Sequence, residues 1–279
     1  MKIHLAKSSG FCFGVKRAIN ISRRTAKSQD NVYMLGNIVH NEDVIKEIAK
    51  TGIKKIKKLR KGKKRVLLIR AHGTGIKILA KAHRLGFKVV DATCPMVKEI
   101  HKIAQDMESK GFKIIVIGDK KHDEVQGIIG QLKRKALIID GARGIPKQSL
   151  QKIKKAVVLA QSTQNNDEVL KIVKILKRHI KMIKFFNTIC KPTRTKQQEI
   201  KKMPLQNELM IIIGSKTSAN TKRLYQISRS LNKKSFWVQS GQELKPRWFK
   251  GIKTVGVAAG ASTPDSTMKA VISQIRRLR

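Results

Sequence analysis

An α/β protein made of three similar lobes, with sheets rich in parallel pairing, is the fold class that the sequence predicts. Two observations lead there. A short apolar run, a polar or glycine-containing loop and a helix-like stretch recur six times along the 279 residues. Three cysteines, Cys12, Cys94 and Cys190, cut the chain into segments of roughly ninety residues, a workable size for an α/β lobe. The expected lobes are therefore 1–94, which carries an N-terminal strand, then 95–189 and 190–279. Alternating strand and helix imposes right-handed crossovers. No Gly/Ser- or Pro-rich linker separates the lobes, so they are expected to pack together.

Each repeat can be justified in order. The first reads VYML, GNIVHN, EDVIKEIAKTG, and the second RVLLIR, AHGTG, IKILAKAHRLG. KIIVIG, DKKHDE, VQGIIGQL and AVVLA, QSTQNN, DEVLKIVKILKR follow, then ELMIIIG, SKTSAN, TKRLYQISRSL and TVGVAA, GASTPDS, TMKAVISQIRRL. Continuous apolar runs of this length suit strands buried on both faces. Val169, Val173, Leu176 and Ile180 make one apolar stripe at helical spacing. Gly52, Gly86 and Gly111 stand where helices should stop. Short additional strands are expected at FKVVDA, ALIID and SFWV.

In open parallel sheets, ligands bind beyond the carboxyl ends of the strands, and those loops hold the unusual polar residues. His40, His72 and His122 follow predicted strands in matching positions. The remaining histidines, His4, His83, His101 and His179, fall in a strand or on helices and read as structural. Ser162 lies in the fourth loop, Ser218 and Asn220 in the fifth, and Ser262 in the sixth. Such residues commonly cap helices. A helix N-terminus flanked by hydroxyls also binds phosphate, so both roles are open to SKTSANTKRL and GASTPDS. Glu124 stands beside His122 as the one acid in the middle of this set, placed to hold a proton for delivery.

Charge narrows the partners. With 62 Lys and Arg against 18 Asp and Glu, the formal charge is +44. The basic residues are spread along the chain, KKIKKLRKGKKR at 54–65 being a local cluster, and aromatics are only 4%. That leaves few platforms for stacking bases, which argues against nucleic acid as the main partner and leaves an acidic protein partner open. No apolar run approaches the roughly 20 residues of a membrane span, and MKIHLAKSSG lacks a signal-peptide core. The expected compartment is the cytoplasm, where thiols stay reduced.

Three cysteines in loop-like settings beside Gly or Pro, one per expected lobe, fit a metal centre better than disulfides. Zinc is one candidate, although structural zinc sites favour close ligand pairs, and none is present. An iron–sulfur cubane is the other. It normally takes four cysteines, and with three one iron keeps an open position suited to Lewis-acid chemistry.

Taken together, GFCFGVKRA, GNIVHN, RAHG, DATCPMVK, HDEVQGIIGQ, AQSTQ, NTIC, GSKTSANTKRL and VAAGASTPD resemble the 4-hydroxy-3-methylbut-2-enyl diphosphate reductase family of the non-mevalonate isoprenoid pathway. The matching stretches occur in family order from Cys12 to Asp265. The resemblance implies three α/β lobes around a central cavity and one [4Fe-4S] cluster held by Cys12, Cys94 and Cys190. It implies that His40, His72, His122, Ser218, Asn220 and Ser262 grip an allylic diphosphate. Glu124 would be the proton donor, and Ser162 falls where the family usually has a threonine that orients the substrate alcohol. The implied reaction is a two-electron reductive dehydroxylation giving isopentenyl and dimethylallyl diphosphates. No dinucleotide fingerprint follows any strand, so electrons are expected from a ferredoxin- or flavodoxin-type protein. Three departures stand out: Ala219 replaces the second of two serines before the asparagine, Asp123 stands where proline is common, and Gln197-Gln198 stands where an Arg-Gln pair is more usual.

Overall fold

Parallel pairing dominates the computed structural model, which describes residues 1–62 and 64–278. Along the chain come β1 (Lys2–Leu5), α1 (Phe13–Ser28), β2 (Val32–Leu35), α2 (Glu42–Lys50), β3 (Lys54–Ile56), β4 (Arg65–Ile69), α3 (Ile76–Arg84) and β5 (Phe87–Asp91). Next are α4 (Pro95–Ser109), β6 (Lys113–Ile117), α5 (Asp123–Ile129), β7 (Leu137–Ile139), α6 (Lys147–Gln151), β8 (Lys155–Ala160), α7 (Asn166–Lys177) and β9 (Met182–Phe186). The last are α8 (Lys191–Gln206), β10 (Leu209–Ile213), α9 (Ala219–Leu231), β11 (Ser235–Val238), β12 (Thr254–Ala259) and α10 (Asp265–Arg277).

These strands form three four-stranded sheets, ordered β3-β2-β4-β5, β7-β6-β8-β9 and β11-β10-β12-β1. Every pairing is parallel. The three orders are one pattern repeated: the first strand of each set sits inside, its successor moves to the edge, and the third lies on the other side of the first. The crevice where connections diverge is therefore between β2 and β4, β6 and β8, and β10 and β12. All six apolar runs of the repeat are these inner strands, and all but the half-buried β2 are buried almost throughout; β8 and β10, for example, bury Val157, Val158, Leu159 and the whole Leu209–Ile213 run.

The position of β1 differs from expectation. Assigned by sequence to the lobe 1–94, it pairs with β12 instead, Lys2 opposite Thr254 and Leu5 opposite Val257. The last three strands fill three places of a four-place sheet, and β1 takes the fourth. The chain accordingly divides into two compact units: residues 1–16, 39–46 and 191–279 make one, and residues 17–38 and 47–190 the other. The first unit holds the sheet with β1, whose core includes Ile211, Val257 and Val271. The second holds the other two sheets. There Val169, Ile172, Val173 and Leu176 of α7 turn inward with Ile180 just beyond the helix. Full burial of each such side chain is worth about 1.5–3 kcal/mol.

Six elements appear neither in the six repeats nor among the other expected strands: α1, α4, α6, α8, β9 and the lysine-bearing edge strand β3. For α8 the reason is physical. It buries Thr193, Lys196 and Gln197 alongside Ile200, so its inner face carries no apolar stripe to read.

Candidate active site

A cysteine follows the fourth strand of each sheet, in the loop before the next helix. Cys12 follows β1 and precedes the 16-residue α1; Cys94 follows β5 and precedes the 15-residue α4; Cys190 follows β9 and precedes the 16-residue α8. Each is tied in the same way to the loop of the neighbouring inner strand. The Cys12 amide donates to the Ala261 carbonyl beyond β12 at 3.1 Å, Cys94 to Ala71 beyond β4 at 3.0 Å, and Cys190 to Ser162 beyond β8 at 3.1 Å. All three are half-buried and none is in a disulfide. A helix N-terminus stabilises negative charge. The repeat places one such thiol after the fourth strand of each sheet, Cys12 in the first unit and Cys94 and Cys190 in the second.

The inner strands deliver the polar residues. In the second unit, His72 follows β4, while His122 caps α5 beyond β6 with Nδ1 accepting from the Glu124 amide at 3.1 Å. The His72 and His122 rings meet edge to face, 5.4 Å between centroids. Glu124 is 2% exposed. Its Oε1 accepts from the Ser162 amide at 2.6 Å and its Oε2 from the Ser162 hydroxyl at 2.8 Å. Burial pushes this carboxyl above the ordinary glutamate range, and the two bonds from Ser162 only partly oppose the shift. The second unit thus joins Glu124, Ser162, His72 and His122, with Cys190 bonded to the same Ser162.

Beneath His72 lies a support that composition did not single out. A Cβ on Gly73, whose φ is +73°, would stand 2.7 Å from Cε1 of His101 on α4. Burial depresses His101 to about 4, so it packs as a neutral ring. Asp123, the first residue of α5, pairs with Arg70 beyond β4 at 2.6 Å.

In the first unit, the Ser262 hydroxyl donates to the His40 carbonyl at 2.9 Å, which joins the loop beyond β12 to the turn before α2. Ser218 caps α9, its hydroxyl accepting from the Thr221 amide at 3.3 Å. Asn220 is buried in the first turn of that helix, and neither its Oδ1 nor its Nδ2 finds a partner among the described residues. Leaving a buried polar group unsatisfied costs about 1–3 kcal/mol, so this amide has a donor and an acceptor available to a ligand. Ala219 is buried beside it.

Sequence reasoning missed how the Cys12 loop is held. Lys196 on α8, buried, donates to the carbonyls of Ser8, Gly10 and Ala259. One turn along, Glu199 accepts from the amides of Lys7 and Ser8, each at 2.9 Å, and from the Ser8 hydroxyl. In a helix crowded with basic and amide side chains, nothing in the sequence marks these two as clasps.

Fold and loops together define a parallel α/β protein in which a cysteine follows one strand of each sheet and the loops beyond the inner strands carry histidines, hydroxyls and one buried acid. The chain belongs to the LytB protein family, whose model matches residues 3–276. Among curated relatives, the 4-hydroxy-3-methylbut-2-enyl diphosphate reductase of Geobacter metallireducens is 38% identical over 278 residues, covering 100% of this chain and 98% of that protein. The reductase of the same name from Aquifex aeolicus is 36% identical, covering 99% and 96%. A solved structure of (E)-4-hydroxy-3-methyl-but-2-enyl diphosphate reductase, described as the terminal enzyme of the non-mevalonate pathway, superposes with a TM-score of 0.71 at 35% identity over 99% of this chain and 100% of that one. The Plasmodium falciparum E-1-hydroxy-2-methyl-but-2-enyl-4-diphosphate reductase does so with a TM-score of 0.90 at 27% identity, covering 98% and 87%.

Proposed function

We propose that the chain catalyses the two-electron reductive dehydroxylation of 4-hydroxy-3-methylbut-2-enyl diphosphate. The C–OH bond breaks, a C–H bond forms, and two electrons and two protons are consumed as water leaves. Delivery of the second proton to one end or the other of the allylic unit gives isopentenyl or dimethylallyl diphosphate. The reading rests on the bonding of Glu124: a buried carboxyl tied to both the amide and the hydroxyl of one serine, in a chain of this family.

Cys12, Cys94 and Cys190 would hold one [4Fe-4S] cluster. When bound, such a cluster supplies single electrons and Lewis-acid character. The protein's own residues do the rest. His40, His72 and His122 donate to the diphosphate with the hydroxyls of Ser218 and Ser262 and the amide of Asn220. Charge-assisted hydrogen bonds of this kind are about twice as strong as neutral ones. Glu124, kept neutral by burial, holds the proton that converts the departing hydroxyl to water. With the carboxyl protonated, the 2.8 Å contact between Glu124 Oε2 and Ser162 Oγ allows the serine hydroxyl to face the substrate alcohol and relay that proton.

Electrons would arrive from an acidic ferredoxin- or flavodoxin-type protein, an encounter that a +44 surface accelerates at low salt. A cytoplasmic setting suits three cysteines without a disulfide. No helix among the described residues is long and apolar enough to cross a membrane. We retain lobe boundaries near Cys94 and Cys190, where the fourth strands of two sheets end.

Anaerobic purification followed by a visible spectrum, iron and sulfide analysis and turnover with a chemical reductant tests this reading. A brown protein that converts the allylic alcohol diphosphate to the two isomeric products is expected. Zinc without visible absorbance, or an iron-loaded protein that leaves the alcohol intact, overturns it.

A further inference from the structure

The reductase reading gives no residue of the basic run at 54–65 a specific contact. No Asp or Glu occurs between Glu47 and Asp91, and nine of the twelve residues from Lys54 to Arg65 are Lys or Arg. β3 occupies the edge of its sheet, paired on one side only, with β2. Every described cation from Lys54 to Lys64 is exposed. None of these joins a carboxylate in an ion pair among the described residues. Lysines on an edge strand discourage sheet-to-sheet association, but that purpose needs only the two on β3 itself. Here the cations continue through the following loop, where unrelieved repulsion destabilises the compact state.

The loop is also shaped. The Arg65 guanidinium donates to the Arg60 carbonyl at 3.0 Å and lies 5.2 Å from the Tyr33 ring centroid. Between them opens a cavity of about 470 Å³, lined by Tyr33, Ile56, Lys57, Lys58, Arg60 and Arg65. Four of its six walls are cations and one is an aromatic ring, the pairing that holds phosphate beside a planar group.

We propose that the β3–β4 segment binds single-stranded nucleic acid, with the phosphate backbone along the cations of the edge and one nucleotide seated in this cavity. The site is separate from the reductase residues and does not depend on their assignment. It adds a docking function to the chain and gives its densest charge cluster a ligand.

The test is fluorescence anisotropy of a labelled oligouridylate of about a dozen nucleotides against the full-length protein across a salt series. Two variants each remove four charges: K57Q/K58Q/R60Q/K61Q at the proposed site, and K171Q/K174Q/K177Q/R178Q on the exposed face of α7. Single strands lose about 0.7 in the slope of log K against log salt per phosphate contact. The first variant should therefore flatten the slope by about 3 and weaken binding at least about tenfold near 100 mM salt. The α7 variant should change affinity by less than about threefold. Photo-crosslinking of 4-thiouridine RNA to the unmodified protein should mark peptides within 54–65. Equal losses in both variants, or crosslinks spread over the chain, would mean non-specific attraction and overturn the site. Inorganic polyphosphate of matched length binding as tightly as the RNA would overturn the nucleic-acid assignment.

Discussion

At the start of α5 the polar side chains satisfy one another. His122 accepts the Glu124 amide, Glu124 takes both donors of Ser162, and Asp123 pairs with Arg70. At the start of α9 the cap is made by Ser218, yet the Asn220 amide is buried with no partner among the described residues. Both turns follow inner strands of parallel sheets, so the backbone problem is the same. The difference is in what each is built to meet. Under the proposed function, a proton donor must be shielded and fixed before substrate arrives, whereas an anion clamp must keep donors in reserve. One turn is satisfied from within, and the other leaves an amide unsatisfied among the described residues.

The largest expected effect comes from neither turn but from a cysteine proposed as a cluster ligand. Cys94→Ser should abolish visible absorbance and turnover, because a serine oxygen does not replace a thiolate as a soft ligand. Iron analysis of the anaerobically purified variant checks this; unchanged iron and sulfide would remove Cys94 from the ligand set.

Glu124→Gln isolates the α5 side of the comparison. The amide keeps the shape but cannot deliver a proton, so turnover should fall about 10²- to 10⁴-fold while the cluster spectrum stays unchanged. Stability gives an independent readout. The folded protein binds this proton more tightly than the unfolded chain, because burial raises the carboxyl's pKa. The stabilisation is full below the unfolded carboxylate range and is lost as pH rises through the folded value. The glutamine variant should therefore melt higher than the parent at alkaline pH, with the gap closing on acidification. A gap that widens on acidification would show that Glu124 is buried as a carboxylate, and the proton-donor role would go with it.

Asn220→Ala isolates the α9 side and should split affinity from stability. Removing a donor to a charged group costs about 1.5–3 kcal/mol, so KM for the diphosphate should rise about 10- to 150-fold with kcat little changed. Melting should hold or improve, because a buried amide without a partner is removed. Pyrophosphate binding followed by calorimetry reads the same contact without turnover. Equal affinity in the variant would mean that the amide completes something other than a phosphate.

The sequence made much of this legible because inner parallel strands must be apolar throughout, and their six runs announce themselves. The segments beyond them follow automatically, which is why His40, His72, His122, Glu124, Ser162, Ser218, Asn220 and Ser262 could be placed just past inner strands from the sequence. What stayed hidden depends on pairing between distant segments. The partner of β1 is 252 residues away in register, Lys2 against Thr254, and no local pattern encodes it. The clasp of Lys196 and Glu199 on the Cys12 loop is equally silent, since a buried lysine among carbonyls looks in sequence like any other lysine. His101 read as structural from its helical position, and the structure adds what it supports: the glycine behind His72.

The smallest effect sharpens the α5 side further. Asp123 occupies the first helical position, where proline is favoured because no intrahelical bond uses its N–H. His122 before it has φ −71° and ψ 138°, the extended geometry that a following proline demands. Asp123→Pro should therefore fit the backbone, gaining about 0.4–1 kcal/mol from a stiffer unfolded chain. Against this stands loss of the Arg70 pair, which is partly exposed and worth at most about 1 kcal/mol. The two should nearly cancel, leaving the melting temperature within a few degrees and turnover close to the parent's. A loss well beyond that would show that Arg70, held by Asp123, steers the α5 turn, and that the self-satisfied network extends one residue further than the Glu124–Ser162 pair.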